Sequence, residues 1–235
     1  SATARRTRSA LDSMACNFPQ ARSPPQRQHQ MANEAALCLP FAGAERMRRV
    51  IWRRVFDDNA LEFFTVQRAG EVEVLNGQIV TLHDGSPVLV EYEIACTPGL
   101  QRVRHARITR NWRADSSTLV LQSDGEGAWR VNGERAAQLD GCTDIGIEWT
   151  PSTNTLPANR LSRSVGARLD IEAAWVPLPA LSVERSPPSY SRLEDGSARY
   201  ENLAGGFHAD VTSDDLGLPI SYGQMWTRVA QWSSD

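Results

Sequence analysis

The chain has 235 residues, with twenty-five arginines, no lysine and twenty-eight acids, for a net charge of -3. Residues 1–54 carry +7 and residues 55–235 carry -10, and an acidic main body argues against a broad nucleic-acid surface. No apolar run approaches the ~20 residues of a membrane-spanning helix, so we predict a soluble, cytoplasmic protein without a membrane span.

Residues 1–46 have the composition of a leader and not of a packed domain. They contain Pro24-Pro25, many Gln, Ser and Ala residues, and little hydrophobic periodicity. Such a segment cannot bury enough apolar surface to offset the entropy of ordering. We predict a disordered or loosely attached basic leader over 1–46 and a single domain over 47–232.

Beyond the leader, the dominant period is two. Apolar and polar residues alternate over 88–94, 169–175, 207–211 and 216–222. Strict alternation of this length predicts strands with one buried face.

Dipeptides typical of hairpin turns separate these runs. They are Asn76-Gly77, Asp84-Gly85, Asp124-Gly125, Asn132-Gly133 and Asp195-Gly196. Adjacent hairpins favour an antiparallel meander over parallel βαβ units. We predict a mainly β fold, with one curved antiparallel sheet forming an open barrel and one or two short helices, around 134–139 and 223–229.

The residue types that carry catalysis or bind metals give no recognisable pattern. His83, His105 and His208 lack metal-ligand spacing, and no nucleophile-elbow or phosphate-binding glycine motif occurs. We therefore predict no catalytic residue, metal or cofactor. The cysteines, at 16, 38, 96 and 142, match no zinc signature. They favour free thiols in a reducing compartment, and a Cys96–Cys142 disulfide stays open.

Aromatic residues are more informative. The seven tryptophans are at 52, 112, 129, 149, 175, 226 and 232. A tryptophan ring offers a large apolar face and one N–H donor, which suits lipid chains or the faces of sugar rings. Any single ring is also explained as core filling, but together they favour an apolar cavity on the concave face of the sheet.

A strand that ends at Trp149 leads directly into a polar loop, residues 150–161, bracketed by two prolines. Six polar residues could converge on a carboxylate, a phosphate or sugar hydroxyls: Asp144, Thr150, Thr153, Asn154, Thr155 and Arg160. Arg160 would provide charge-assisted hydrogen bonds. The alternative is architectural. Asn154 would then form a turn with the backbone, and Arg160 would pair with Asp144.

Five segments occur in an order that resembles a known bacterial family. They are G-x-W-x-x-x-G at 127–133, L-D-G-C-x-D at 139–144, T-P-x-T-N-T-L-P-x-x-R-L at 150–161, A-W-V-x-x-P at 174–179 and D-x-x-G-L-x-x-x-Y-x-x-x-W-x-R at 214–228. The chain resembles the Putative glycolipid-binding family over residues 48–230. The resemblance implies a spiral antiparallel β-roll, similar to bacterial carriers of lipoproteins or lipids, and it implies no catalytic residues.

These observations lead to one functional hypothesis and two alternatives. The first is non-catalytic binding of a lipid or glycolipid in a tryptophan-bearing apolar cavity. The candidate ligand-binding residues are Trp129, Asp144, Trp149, Thr153, Asn154, Arg160, Trp175 and Trp226. The alternatives are an enzyme acting on a small hydrophobic or sugar-like substrate, which predicts perturbed acids in a cleft, and an interaction module, which predicts a filled core and an exposed apolar patch. The oligomeric state is left open.

Overall fold

Strands make up most of the chain that the structure describes. The computed structural model describes residues 47–56, 59–202 and 205–234, so the predicted leader lies outside the described residues. The strands are β1 (Met47–Arg54), β2 (Leu61–Ala69), β3 (Val72–His83), β4 (Ser86–Cys96), β5 (Val103–Trp112), β6 (Asp115–Ser123), β7 (Trp129–Val131), β8 (Glu134–Arg135), β9 (Asp144–Ile147), β10 (Arg168–Asp170), β11 (Ala173–Val176), β12 (Glu184–Ser186), β13 (Pro188–Arg192), β14 (Ala198–Asn202), β15 (Phe207–Ser213), β16 (Pro219–Tyr222) and β17 (Trp226–Ser233). The α-helix of these ranges is α1 (Thr155–Arg160), and 3-10 turns occur at Pro98–Leu100, Ala137–Leu139 and Ser152–Asn154.

Fourteen of the strands form one curved sheet in the order β10-β13-β14-β15-β16-β17-β1-β2-β3-β4-β5-β6-β7-β8. Each neighbouring pair is antiparallel, and β17 pairs with β1, which joins the last strands of the chain to the first. The edges are β8 and β10, so the sheet is not closed into a barrel. The predicted mainly β class with one curved antiparallel sheet is confirmed.

A second sheet of three strands, β12-β11-β9, packs on the concave inner face of the large sheet. Its β9 and β11 are parallel, which the predicted meander did not include. Inner-face side chains of the large sheet share one core with residues of the small sheet and α1. The largest of these fully buried side chains include Trp52, Phe64, Leu75, Ile94, Trp129, Ile145 and Leu156. Packed side chains therefore fill the inner face.

Turn predictions hold at four of the five dipeptides and fail at one. Asp124-Gly125 and Asp195-Gly196 lie in the connections from β6 to β7 and from β13 to β14, with positive φ at each glycine. Asp84-Gly85 and Asn132-Gly133 connect β3 to β4 and β7 to β8 with positive φ at both residues, as a two-residue hairpin turn requires. Asn76-Gly77, however, lies in the middle of β3. A Cβ on Gly77 would overlap the ring of its cross-strand partner Tyr92, so this glycine makes room for a tyrosine and forms no turn.

The predicted number of short helices, one or two, is confirmed by the one helix of the described residues, but both predicted positions are wrong. Residues 134–139 form β8 and the 3-10 turn Ala137–Leu139, and β17 occupies most of 223–229 because it pairs with β1. The helix that does form, α1, lies within the predicted loop 150–161. No helix of the described residues is long and apolar enough to cross a membrane.

Candidate functional site

Four of the predicted site residues meet at one pocket. Asp144 at the start of β9, Thr153 and Asn154 in the 3-10 turn, and Trp175 of β11 line a pocket of about 50 Å³. Three tyrosines of the large sheet complete its wall: Tyr190, Tyr200 and Tyr222. We call the site formed by Thr153, Asn154, Trp175 and these three tyrosines the aromatic pocket.

Trp175 reaches the pocket because its neighbour on the parallel strand is a glycine. Gly146 pairs with Trp175 between β9 and β11. A Cβ on Gly146 would lie 2.7 Å from Cε3 of Trp175, which is too close for any side chain at that position. The indole therefore rests against the backbone of β9 and stays half-buried at the pocket wall.

The buried amide of Asn154 is fixed from two sides. Its Nδ2 donates to the backbone carbonyl of Pro151 at 3.0 Å, and its Oδ1 accepts from the hydroxyl of Tyr190 at 2.8 Å. The predicted turn interaction of Asn154 with its own segment is thus present. The same residue also connects the 3-10 turn to the large sheet through Tyr190.

The tyrosines form a run of rings that leads from the pocket to the surface. Tyr190 and Tyr200 contact edge to face, with centroids 5.3 Å apart, and Tyr200 lies 6.0 Å from Tyr222. Phe207, 5.9 Å from Tyr200, ends the run in an exposed position. Burial raises the pKa of all three phenols, so their hydroxyls are neutral. A neutral phenol can both donate and accept hydrogen bonds.

Asp144 and Arg160 form an ion pair that connects β9 to the end of α1. The guanidinium of Arg160 donates to both carboxylate oxygens of Asp144, at 2.7 and 2.6 Å, and to the carbonyl of Gln101 at 3.0 Å. The Thr143 hydroxyl donates to the same carboxylate at 2.6 Å, and Asp144 is only 1% exposed. This carboxylate is occupied by protein donors, as the architectural interpretation describes.

The other three candidate tryptophans lie outside this pocket's lining. Trp129 and Trp226 are 1% and 3% exposed in the core, and Nε1 of Trp129 donates to the carbonyl of Cys142 at 2.8 Å. Trp149 is half-buried against His83, with ring centroids 5.4 Å apart. Core packing supports a structural role for Trp129 and Trp226, because neither presents a ring face to solvent.

Sequence reasoning missed a polar cluster on the inner face. The Glu62 carboxyl accepts hydrogen bonds from the hydroxyls of Tyr92 and Thr150, the latter at 2.8 Å. Ser152 lies 2.5 Å from the Tyr92 hydroxyl and 2.8 Å from that of Thr150. We call Glu62, Tyr92, Thr150 and Ser152 the inner-face acid cluster. Thr150 also lines the same pocket as Thr153 and Asn154. The cluster therefore connects the centre of the large sheet to the segment that leads into the aromatic pocket.

Glu62 is chemically unusual. Burial raises its pKa from 4.5 to about 8, although the bonds from Tyr92 and Thr150 partly oppose this. Its second oxygen, Oε2, is buried without a hydrogen-bond partner among the described residues. The only hint in the sequence is one glutamate within the apolar run Leu61-Glu62-Phe63-Phe64.

A wider groove of about 700 Å³ lies beside β1 and β2, with Met47 and Val66 in its lining. Its walls combine aliphatic side chains with four ionisable ones: Arg48, Arg68, Glu73 and Asp215. That charged lining suits an uncharged sugar or an acyl chain less well than the aromatic pocket does. Among the described residues, no group of three His, Cys, Asp or Glu side chains could hold a metal ion.

The two described cysteines, Cys96 and Cys142, are buried free thiols. Burial raises their pKa values to about 12 and about 11, so both are protonated.

Comparison with known proteins gives two matches. The model of a family described as Putative glycolipid-binding matches residues 49–228. The crystal structure of a DUF1089 family protein from Pseudomonas aeruginosa is 30% identical, with a TM-score of 0.66, and the match covers 73% of this chain and 92% of that one. No curated protein matches this chain.

Proposed function

The chain belongs to the Putative glycolipid-binding family, and on this premise we propose that it binds a glycolipid through the sugar head group, in the aromatic pocket and without a catalytic step. The observation that carries this proposal is the Trp175 ring held against Gly146 at the pocket wall. A tryptophan face provides a broad apolar surface for the C–H face of a sugar ring.

The charge of the pocket favours a neutral ligand. Arg160 and Thr143 occupy the carboxylate of Asp144. Glu148, at the exposed rim, accepts the backbone N–H of Leu178 at 2.7 Å. An ionic head group such as a phosphate would find no cation in the lining, whereas a sugar needs only dipolar partners.

Such partners are present. Thr153 contributes a hydroxyl to the lining, and the neutral phenols of Tyr200 and Tyr222 lie in the same wall. A few polar groups placed within an aromatic lining are typical of specific small-molecule sites.

The size of the pocket determines which part of the ligand it holds. A volume of about 50 Å³ accommodates the edge of a sugar ring or one or two of its hydroxyl groups. It is far below the roughly 300 Å³ at which whole small-molecule sites begin. We therefore assign the sugar to the pocket and leave the acyl chains outside it, in contrast to the tryptophan-lined cavity predicted from sequence.

A catalytic function is supported less well. The acid with the strongly raised pKa, Glu62, is fully buried and is not part of the pocket lining. Its position suits a role in packing better than a role in proton transfer to a ligand. A bacterial source and a cytoplasmic location belong to the same proposal. The free thiols of Cys96 and Cys142 and the Pseudomonas relative support them.

The direct test is titration with octyl β-D-glucoside and octyl β-D-galactoside below their micelle concentrations, followed by calorimetry. The sugar-free detergent octyl tetraethylene glycol tests whether the alkyl chain alone binds. We expect binding of at least one glycoside and none of the sugar-free detergent. Trp175→Ala is expected to weaken binding at least about tenfold, the effect of losing one stacked aromatic ring.

The matched control is Trp232→Ala, which removes a half-exposed tryptophan outside the pocket lining and is expected to leave affinity unchanged. Head-group recognition at Trp175 would be contradicted if the sugar-free detergent bound as tightly as the glycosides. It would also be contradicted if Trp175→Ala and Trp232→Ala lost glycoside affinity equally.

A further inference from the structure

The outer face of β2 and β3 exposes large apolar side chains to solvent. They are Leu61 at 50%, Phe63 at 44%, Val80 at 59% and Leu82 at 49% exposure. Single exposed apolar residues need no explanation, but contiguous ones mark interaction surfaces.

Strand register makes these side chains contiguous. Leu61 pairs with Val80, and Val80 pairs in turn with Leu89 of β4. Phe63 pairs with Ile51 of β1. We call Leu61, Phe63, Val80 and Leu82, with the half-buried Ile51 and Leu89 at their margin, the outer-face patch.

The same strands place polar side chains on the inner face. Glu62 lies between Leu61 and Phe63 in sequence and points into the core, where it is fully buried. Thr81 is likewise buried between Val80 and Leu82, and its hydroxyl accepts from Arg54 at 3.1 Å. Shifting the strand faces by one residue would bury the leucines and expose the acid. The fold keeps the opposite arrangement, which leaves apolar surface available for a partner.

Charged and aromatic side chains flank the outer-face patch asymmetrically. Arg49 of β1 stacks over the half-exposed ring of Trp232, with its Cζ 4.9 Å from the ring centroid. By register these two lie beyond Ile51 on the same face, and Arg53 lies on that face beside Leu61. Glu91 and Glu93 lie on the β4 side. Amphipathic helices that lie in a membrane interface combine leucine, phenylalanine and tryptophan with arginine in the same way.

The curvature of the sheet argues against a second copy as the partner. The core fills the concave face, so the patch lies on the convex one. Two convex faces touch over a small area, and the patch exposes only a few hundred Å², below the roughly 800 Å² per partner of a stable dimer. A lipid layer is deformable and can enclose a convex surface.

We propose that the outer-face patch docks the protein on an anionic lipid bilayer, with Phe63, Val80 and their neighbours inserted at the interface and Arg49 near lipid phosphates. This docking is separate from sugar binding. It requires no glycolipid in the membrane.

The test is co-sedimentation of the full chain with large vesicles of phosphatidylcholine, with and without about one fifth phosphatidylglycerol, and no glycolipid. We expect binding that phosphatidylglycerol strengthens. The double variant Phe63→Ser/Val80→Ser is expected to bind at least about tenfold more weakly, because it removes two large apolar groups from the interface. Arg49→Gln is expected to remove part of the gain from phosphatidylglycerol.

The matched control is Val165→Ser/Ile220→Ser, which removes two equally exposed apolar side chains outside the outer-face patch and is expected to bind as the wild type does. Thermal melts of all variants establish that they fold. Absence of vesicle binding by the wild type, or equal loss in both double variants, would overturn the proposal. So would a wild-type dimer in sedimentation velocity that only the patch variant dissociates. If the wild type binds vesicles but no glycoside, the proposed sugar site is contradicted and membrane docking is not.

Discussion

Glu62→Gln is the most informative single substitution in the core. The Glu62 carboxyl accepts two hydrogen bonds through Oε1, while Oε2 has no partner among the described residues. Burial raises its pKa from 4.5 to about 8, so the folded protein holds this group as the neutral acid at pH 7. Glutamine keeps the shape and the acceptor oxygen but cannot ionise.

The magnitude follows from proton linkage. Between pH 4.5 and about 8, folded Glu62 keeps a proton that the unfolded chain has released. The free energy of unfolding therefore falls as pH rises, by about 1.4 kcal/mol per pH unit. This stabilisation is fully present below the unfolded pKa and is lost as pH rises through the folded one. From pH 6 to pH 8 the loss from this one group is on the order of 2 kcal/mol, because the slope decreases as folded Glu62 begins to ionise near its own pKa.

Urea unfolding of the wild type and of Glu62→Gln at several pH values between 6 and 8 measures the effect. Other titrating groups are common to both proteins and cancel in the difference. We expect the free energy of unfolding of Glu62→Gln to gain about 2 kcal/mol on that of the wild type across this window. Glu91→Gln, on the outer face of β4, serves as the control and is expected to track the wild type. A constant difference between wild type and Glu62→Gln would refute a protonated Glu62 in the folded state.

Two further substitutions test contacts in the fold. Arg160→Ala leaves the buried carboxylate of Asp144 without its cation. Thermal and urea unfolding are therefore expected to show a loss of stability of about 3 kcal/mol, with affinity for octyl glucoside unchanged. Lost affinity at unchanged stability would place Arg160 in the ligand site instead. Gly77→Ala inserts a methyl group into the Tyr92 ring and is expected to destabilise the protein by about 1–3 kcal/mol; an unchanged urea midpoint would contradict the close contact.

Where local pattern and burial agree, the sequence was sufficient to predict structure. Residues 88–94 alternate apolar and polar, and β4 buries Val88, Val90, Tyr92 and Ile94 on one face. The tight turn at Asp84-Gly85 needs two residues with positive φ, and this dipeptide adopts that conformation readily.

β2 shows why the inner-face acid cluster was not predicted. In Leu61-Glu62-Phe63-Phe64, the apolar residues outnumber the single acid, and a pattern alone would place Glu62 outside. Its burial depends on hydroxyl donors from two other segments, Tyr92 and Thr150. Thr150 is 88 residues from Glu62 in the sequence, and no local signal reports such a pairing.

The segment 150–161 was predicted as a loop because of its prolines. Pro157 is the third residue of α1, where a missing N–H is tolerated, since the first backbone donors of a helix have no partner within it.

At the other end of the chain, the spacing of Trp226 and Val229 also fits a helix. Pairing of β17 with β1 overrides that local preference.

The aromatic pocket could be predicted only in part. Asp144, Thr153, Asn154 and Trp175 were candidates and do line it. Tyr190 and Tyr200 are cross-strand partners in the adjacent strands β13 and β14, but Tyr190 is 36 residues from Asn154, to which it donates a hydrogen bond. No local signal reports that this part of the sheet contacts the 3-10 turn.

Stacking of a sugar on Trp175 can be followed through the indole N–H signals of the seven tryptophans in a ¹H–¹⁵N spectrum. On titration with octyl β-D-glucoside, we expect the largest shift at Trp175 and almost none at the core residues Trp129 and Trp226. Shifts concentrated at Trp129 and Trp226, or no shift at Trp175 under saturating glycoside, would contradict it.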